Sequence, residues 1–173
     1  GLTSRSVKRD QRKPYTLELH VDSACTSTLI PASVTATFGK NPTSAENVEI
    51  VSAGGDNLSV TQRVDLDAIF QGDSKADLQA VLRDCYGVEH LEEALLSVSK
   101  AVDAGHKVVF QPEDDGGSFI KLAGREEMIP IQRKGDSFIV TVRIGEVAPN
   151  LSKRQRRKAN NLWHRKCCHW SDK

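Results

Sequence analysis

A chain of 173 residues with 38% hydrophobic and 5% aromatic residues supports one domain with a modest core. It contains no apolar run of about 18 residues, and its first residues lack the apolar stretch of a signal peptide, which argues against membrane insertion and secretion and predicts an intracellular protein. The four cysteines, Cys25, Cys85, Cys167 and Cys168, have no framework spacing and suit a reducing compartment.

The net charge of +1 conceals a partition. Residues 1–13 carry five Lys or Arg against Asp10, and residues 151–173 carry eight against Asp172. The residues between hold 11 basic and 21 acidic side chains, a net of −10. An acidic body between two basic arms predicts that the arms are separate from the domain.

Residues 1–13, GLTSRSVKRDQRK, show no periodicity and read as a flexible basic lead-in. Gly1 rather than methionine opens the chain, as expected of a piece of a longer polyprotein. Tyr15, Leu17, Leu19 and Val21 then alternate with Thr16, Glu18 and His20, the period of a half-buried strand, which runs into Asp22-Ser23-Ala24. A second apolar run, Thr28-Leu29-Ile30, is closed by Pro31, so Asp22 is expected in a tight turn between two strands.

Ala32 to Ser44 is mixed and contains a loop signal, Gly39-Lys40-Asn41-Pro42. Val48–Val51 and Leu58–Thr61 flank Ser52-Ala53-Gly54-Gly55-Asp56-Asn57, which predicts a hairpin with a tip able to adopt positive φ. Val64–Phe70 reads as a strand and Gly72–Lys75 as a turn, whereas Ala76–Tyr86 fits neither strand nor helix cleanly. Leu91, Leu95, Val98 and Val102 are spaced as on one helix face, predicting a helix between Val88 and a C-cap at Gly105. Strands are expected at Lys107–Phe110, Ser118–Leu122, Met128–Gln132 and Ser137–Ile144, with Gly/Asp turns between them. Many short strands with one inserted helix predict a mainly β protein, a small closed barrel or sandwich.

Asp22-Ser23-Ala24-Cys25-Thr26-Ser27 after an apolar strand resembles the Asp-Ser-Gly-Ala/Cys-Ser/Thr turn of retropepsin-like aspartic proteases, especially those in the Gag-Pol polyproteins of copia-type LTR retrotransposons. The likeness spans about residues 15–144. It includes the small-residue hairpin tip at 52–57, Val81-Leu82-Arg83-Asp84-Cys85-Tyr86, Leu95-Leu96-Ser97-Val98-Ser99-Lys100 and the run from Asp103 to Phe110. It implies a retropepsin-type barrel over residues 14–148 that hydrolyses its own polyprotein, with Asp22 as the catalytic carboxylate. Ser23 and Ala24 would form the active-site turn, Ser23 bracing the two turns of a dimer or acting as a plain turn hydroxyl, and Ala53, Gly54, Gly55 and Asp56 would form the flap.

Two carboxylates close together share one proton, so that one can activate water while the other protonates the carbonyl oxygen. Asp73-Ser74 lacks a leading apolar strand and Asp136-Ser137 precedes a strand instead of following one, so a homodimer is expected to supply a second Asp22. Leu162-Trp163-His164-Arg165 resembles the opening of the pre-integrase segment that follows such proteases, so residues 149–173 are expected to be a basic linker and the truncated start of that segment. His164 and His169 there resemble half of a zinc site whose downstream Cys-x-x-Cys is missing, so no complete metal site and no cofactor are expected.

The family likeness places the protein in the cytoplasm or a virus-like particle. Ala24 stands where the family has Gly, which keeps open an inactive barrel serving as a structural or binding module, with weak nucleic-acid contact by its basic ends.

Overall fold

The computed structural model describes residues 13–145. The basic lead-in before Lys13, the linker after Gly145, and His164 and His169 lie outside the described residues.

The chain opens with β1 (Tyr15–Asp22) and β2 (Leu29–Pro31), followed by α1 (Ala32–Phe38) and β3 (Lys40–Ser44). A small hairpin of β4 (Ile50–Val51) and β5 (Asn57–Leu58) precedes two long strands, β6 (Val60–Gln71) and β7 (Asp77–Val88). Next come β8 (Ala94–Ser97), α2 (Val98–Asp103) and β9 (Lys107–Val109). The described residues end with β10 (Phe119–Lys121), β11 (Met128–Pro130), β12 (Gln132–Lys134) and β13 (Ser137–Ile144).

The protein is mainly β, and its centre is a closed barrel of six strands in the order β13-β1-β8-β2-β7-β6. Closure occurs where β6 pairs back onto β13, with Phe70, Ile69 and Ala68 opposite Val142, Arg143 and Ile144. One side of β13 is shared: its first residues pair with β12 and its last with β6. Closing the sheet removes the central edges that would otherwise template aggregation. Inward-facing residues alternate as the pleat requires: Leu17, Leu19 and Val21 on β1, Val64, Leu66, Ala68 and Phe70 on β6, Val140, Val142 and Ile144 on β13. A three-stranded sheet, β11-β10-β9, adds Ile120 and Ile129 to the same core, with Leu122 and Ile131 just beyond its strand ends.

Several segments depart from the sequence-based expectation. In place of the loop expected at Gly39-Lys40-Asn41-Pro42, Lys40 begins β3, which pairs with β6 at the edge of the sheet, where Pro42 is tolerated. Ala76–Tyr86, which fits no single period, is the strand β7. Its inward positions are Leu78, Ala80 and Leu82, and then Cys85 and Gly87, because a bulge sets Arg83 and Asp84 together against Asp65. Asp84 takes a left-handed φ of 53° there, and its N–H donates to the Asp65 carboxylate at 3.1 Å. One extra residue shifts the alternation by one, which erases the period-two signal.

The helix expected between Val88 and Gly105 is confined to α2, and the residues before it form β8. Val102, part of the predicted apolar stripe, is 53% exposed, while Ala94, Leu96 and Ala101 are buried. Four residues of a strand with neighbours on both sides carry no helical or alternating signature of their own. The predicted C-cap does hold: the Gly105 and His106 N–H groups donate to the Val102 and Ala101 carbonyls at 2.9 and 3.0 Å, with Gly105 at φ +89°. α1 is a second helix where the sequence suggested only mixed structure. Its Thr35 and Thr37 are weak helix formers, and it is held by packing of Val34 and Thr35 on the barrel.

Gly87 is where α1 meets β7: a Cβ on Gly87 would lie 2.3 Å from Thr35 Oγ1 and 2.8 Å from Thr61 Oγ1. Gly87→Ala is therefore expected to cost about 1–3 kcal/mol in chemical denaturation. Combined with Thr35→Ala it should cost less than the sum of the two single changes, since one clash is shared. Strict additivity would show that the helix does not rest on Gly87.

His106 gives the fold a pH dependence. Burial lowers its pKa from 6.5 to about 4, and its Nδ1 accepts a hydrogen bond from the Ala123 N–H at 2.9 Å. The folded chain thus keeps the ring neutral in a range where the unfolded chain protonates it. Its stabilising contribution is complete above pH 6.5 and is lost as pH falls toward 4. The thermal midpoint should drop across that window, and His106→Gln, which retains an acceptor, should flatten the drop. An unchanged slope in that variant would assign the acid sensitivity to other groups.

Candidate active site

Asp22 ends β1, on the strand face opposite Leu19 and Val21, and is partly exposed. One carboxylate oxygen, Oδ1, accepts the Ala24 N–H at 2.8 Å, closing an Asx turn that fixes the carboxylate relative to the strand. Ser23 and Ala24 are exposed at the top of this turn. The non-glycine residues with positive φ among those described are Asn41, Lys75, Asp84 and His90. Ala24 is not one of them, so the turn needs no glycine for its backbone, and the added Cβ faces outward.

The turn is pinned from below by β8, which lies between β1 and β2, parallel to the first and antiparallel to the second. Asp22 is paired with Ser97. The fully buried Ser97 donates through Oγ to the Cys25 carbonyl at 2.7 Å and through its N–H to Thr28 Oγ1 at 3.2 Å. The same Oγ accepts the Lys100 N–H at 3.3 Å, capping α2, and lies 3.1 Å from Ser99 Oγ. The Thr28 carbonyl in turn accepts the Tyr86 N–H of β7 at 2.9 Å. The acidic turn is thereby tied to two barrel strands and to the first turn of α2.

Cys25 donates its thiol to the Ser27 carbonyl at 2.7 Å. Burial pushes this thiol up, and the charge of Asp22 acts in the same direction. A protonated thiol is a poor nucleophile, which leaves Cys25 a packing residue of the turn. Burial raises the pKa of Cys85 as well, reinforced by Asp65 and Asp84.

Asp22 borders a cleft of about 310 Å³. The end of β1 and the residue after it supply His20, Val21, Asp22 and Ser23, and Glu93, just before β8, and Leu95 within β8 add to it. The remaining wall is Phe110, just after β9, with Asp136, Ser137 and Phe138 at the start of β13. Phe110 and Phe138 meet edge to face at 4.8 Å between centroids. Arg133 covers Phe138 at 4.6 Å and stands 3.8 Å from Asp136, while His20 Nδ1 lies 3.8 Å from Glu93.

Ala53, Gly54, Gly55 and Asp56, expected to form a flap, lie at a hairpin tip between β4 and β5. The Gly55 N–H donates to the Ser52 carbonyl at 2.9 Å and the Ser52 N–H to the Asp56 carbonyl at 2.8 Å, with Gly55 at φ +88°. This is a three-residue loop with glycine at its left-handed position. Ala53, Gly54, Gly55 and Asp56 do not line the cleft that Asp22 borders.

Asp136 precedes a strand, unlike Asp22, yet the fold brings it to the same cleft as Asp22. Antiparallel pairing of β13 with β1, with His20 opposite Ile139, carries the start of one strand to the end of the other. Ser97 and Phe110 lie in runs that resemble the family but carry no implied role there, and Phe138 carries no local motif; pairing of β1 with β8 sets Ser97 beside Asp22, and Phe110 and Phe138 meet in the cleft. No group of three or more His, Cys, Asp or Glu residues suited to a metal ion occurs among the described residues.

Ser97→Ala should destabilise the protein by about 1–3 kcal/mol, since it leaves the Cys25 carbonyl and the Lys100 N–H without their buried partner. Amide exchange at residues 23–28 should quicken, whereas Ser99→Ala should change both little. Equal effects of the two substitutions would remove Ser97 from the role of anchor.

Comparison of the chain with protein-family models, with curated proteins and with solved structures finds no match.

Proposed function

We propose that the protein is an aspartic endopeptidase of retropepsin type, active as a homodimer in which Asp22 of two copies forms the catalytic pair. The observation that carries this reading is the placement of Asp22: a carboxylate at a strand end, locked by the Ala24 N–H and bordering a cleft, in a turn anchored by the buried Ser97. The resemblance of residues 22–27 to the retropepsin turn supports the same reading.

In the proposed reaction one Asp22 carboxylate takes a proton from water as the water oxygen bonds to the peptide carbonyl carbon. The protonated Asp22 of the second copy gives its proton to the carbonyl oxygen. Collapse of the tetrahedral adduct returns that proton, breaks the C–N bond and protonates the leaving nitrogen, yielding a carboxylic acid and an amine. The anchored turn holds each carboxylate without reorganisation, which is where such a site gains rate.

Asp22→Asn should reduce kcat/KM for peptide hydrolysis by on the order of 10²-fold or more. Specific activity of the parent should rise with protein concentration until the dimer saturates, and its pH profile should be bell-shaped on the acid side, as for a carboxyl pair sharing a proton. Cleavage by Asp22→Asn at the parent rate, or activity from a strictly monomeric protein, overturns the assignment. Absence of cleavage in the parent would favour the non-catalytic barrel.

A further inference from the structure

We infer that the cleft beside Asp22 selects a basic side chain, so that a Lys/Arg-rich polypeptide segment is the class of chain it takes; as a statement about substrate this rests on the peptidase reading above. The wall carries three carboxylates, Asp22, Glu93 and Asp136, and among the described residues that line it there is neither Lys nor Arg. His20 is the other titratable group there and already faces Glu93. Arg133 lies over Phe138 and within 3.8 Å of Asp136, outside the residues that line the cleft.

The remaining surface is apolar and aromatic, from Leu95, Phe110 and Phe138, with Phe110 40% exposed. That combination suits Lys or Arg: the methylene stem packs on the apolar and aromatic side chains while the charged head pairs with the carboxylates. Arg gains more than Lys because its planar head also stacks. A volume of about 310 Å³, at the small end of the roughly 300–1,000 Å³ range of ligand pockets, matches a side chain with its flanking backbone better than a large cofactor.

Charge complementarity extends beyond the cleft. Residues 14–150 carry a net −10, a field that draws basic chains toward the barrel. This chain itself supplies such a sequence, Leu151-Ser152-Lys153-Arg154-Gln155-Arg156-Arg157-Lys158, in which a basic run follows an apolar residue. A peptide of that type is the natural probe.

The test uses a fluorescent peptide with the sequence of residues 148–160 and a control in which every Lys and Arg is Gln. Binding is read by anisotropy on the full-length Asp22→Asn protein, and cleavage of both peptides on the parent. The basic peptide should bind on the order of tenfold more tightly than the control. Glu93→Gln combined with Asp136→Asn, both at exposed positions, should reduce that ratio to about twofold or less. The same charge change at two carboxylates outside the cleft, Asp73→Asn with Asp103→Asn, should leave it near the original value.

Selective binding that depends on Glu93 and Asp136, together with faster cleavage of the basic peptide, supports both readings. Such binding without cleavage by the parent keeps the cleft's selectivity and removes the peptidase. Equal cleavage of the two peptides keeps the peptidase and overturns the selectivity, as does a binding preference that survives loss of both cleft carboxylates or falls equally when Asp73 and Asp103 are changed.

Discussion

The buried hydroxyl and N–H of Ser97 impose a constraint on which the site depends, because polar groups taken out of water are costly unless they find partners. Those partners come from the acidic turn: the Cys25 carbonyl and the Thr28 hydroxyl, 72 and 69 residues earlier. They can be reached only if β8 enters between β1 and β2. The insertion of one short strand between two that are consecutive in the chain thus fixes at once the barrel topology, the shape of the turn and the start of α2. Asp22 inherits its position from that arrangement, with its own Asx bond adding the final orientation.

Closure of the barrel depends on irregularities as much as on regular pairing. The bulge at Arg83 and Asp84, and a second register shift between Lys40 and Thr43, sit along β6 and its neighbours, where the sheet must curl toward β13. Both are accompanied by outward-facing charges: Arg83 toward Asp65, Arg63 toward Asp84 and Lys40 toward Asp67. The partly exposed Arg63–Asp84 and Lys40–Asp67 pairs contribute little stability, about 0–1 kcal/mol each, whereas Arg83 and Asp65 are mostly buried. These pairs offset carboxylates of β6 and β7 locally, whereas Asp22, Glu93 and Asp136 line the cleft.

The barrel and the cleft therefore divide the charge between them. Cations on β6 and β7 are engaged by neighbouring carboxylates, and Arg133 is engaged by Phe138 and Asp136. The cleft thus combines apolar and aromatic residues, including the Phe110–Phe138 pair, with the carboxylates of Asp22, Glu93 and Asp136.

The alternation of β1, the hairpin tip at 52–57, the Gly72 and Gly135 turns and the long strands β6 and β13 were all legible in the sequence, because each is set by neighbours two to four residues apart. The same holds for Asp22 at a strand end and for the charge partition along the chain. What local pattern could not determine was β7, whose phase breaks at one bulged residue, β8, whose burial comes from strands on both sides, and α1, whose residues become helical only against the barrel. The cleft was equally hidden, since Glu93, Phe110 and Asp136 meet Asp22 only through pairing of segments far apart in the chain. The amino-acid order by itself determined a β-rich chain with a carboxylate in a tight turn. Tertiary structure decided what faces that carboxylate, because strand pairing and burial are non-local and leave no periodic trace in any one segment.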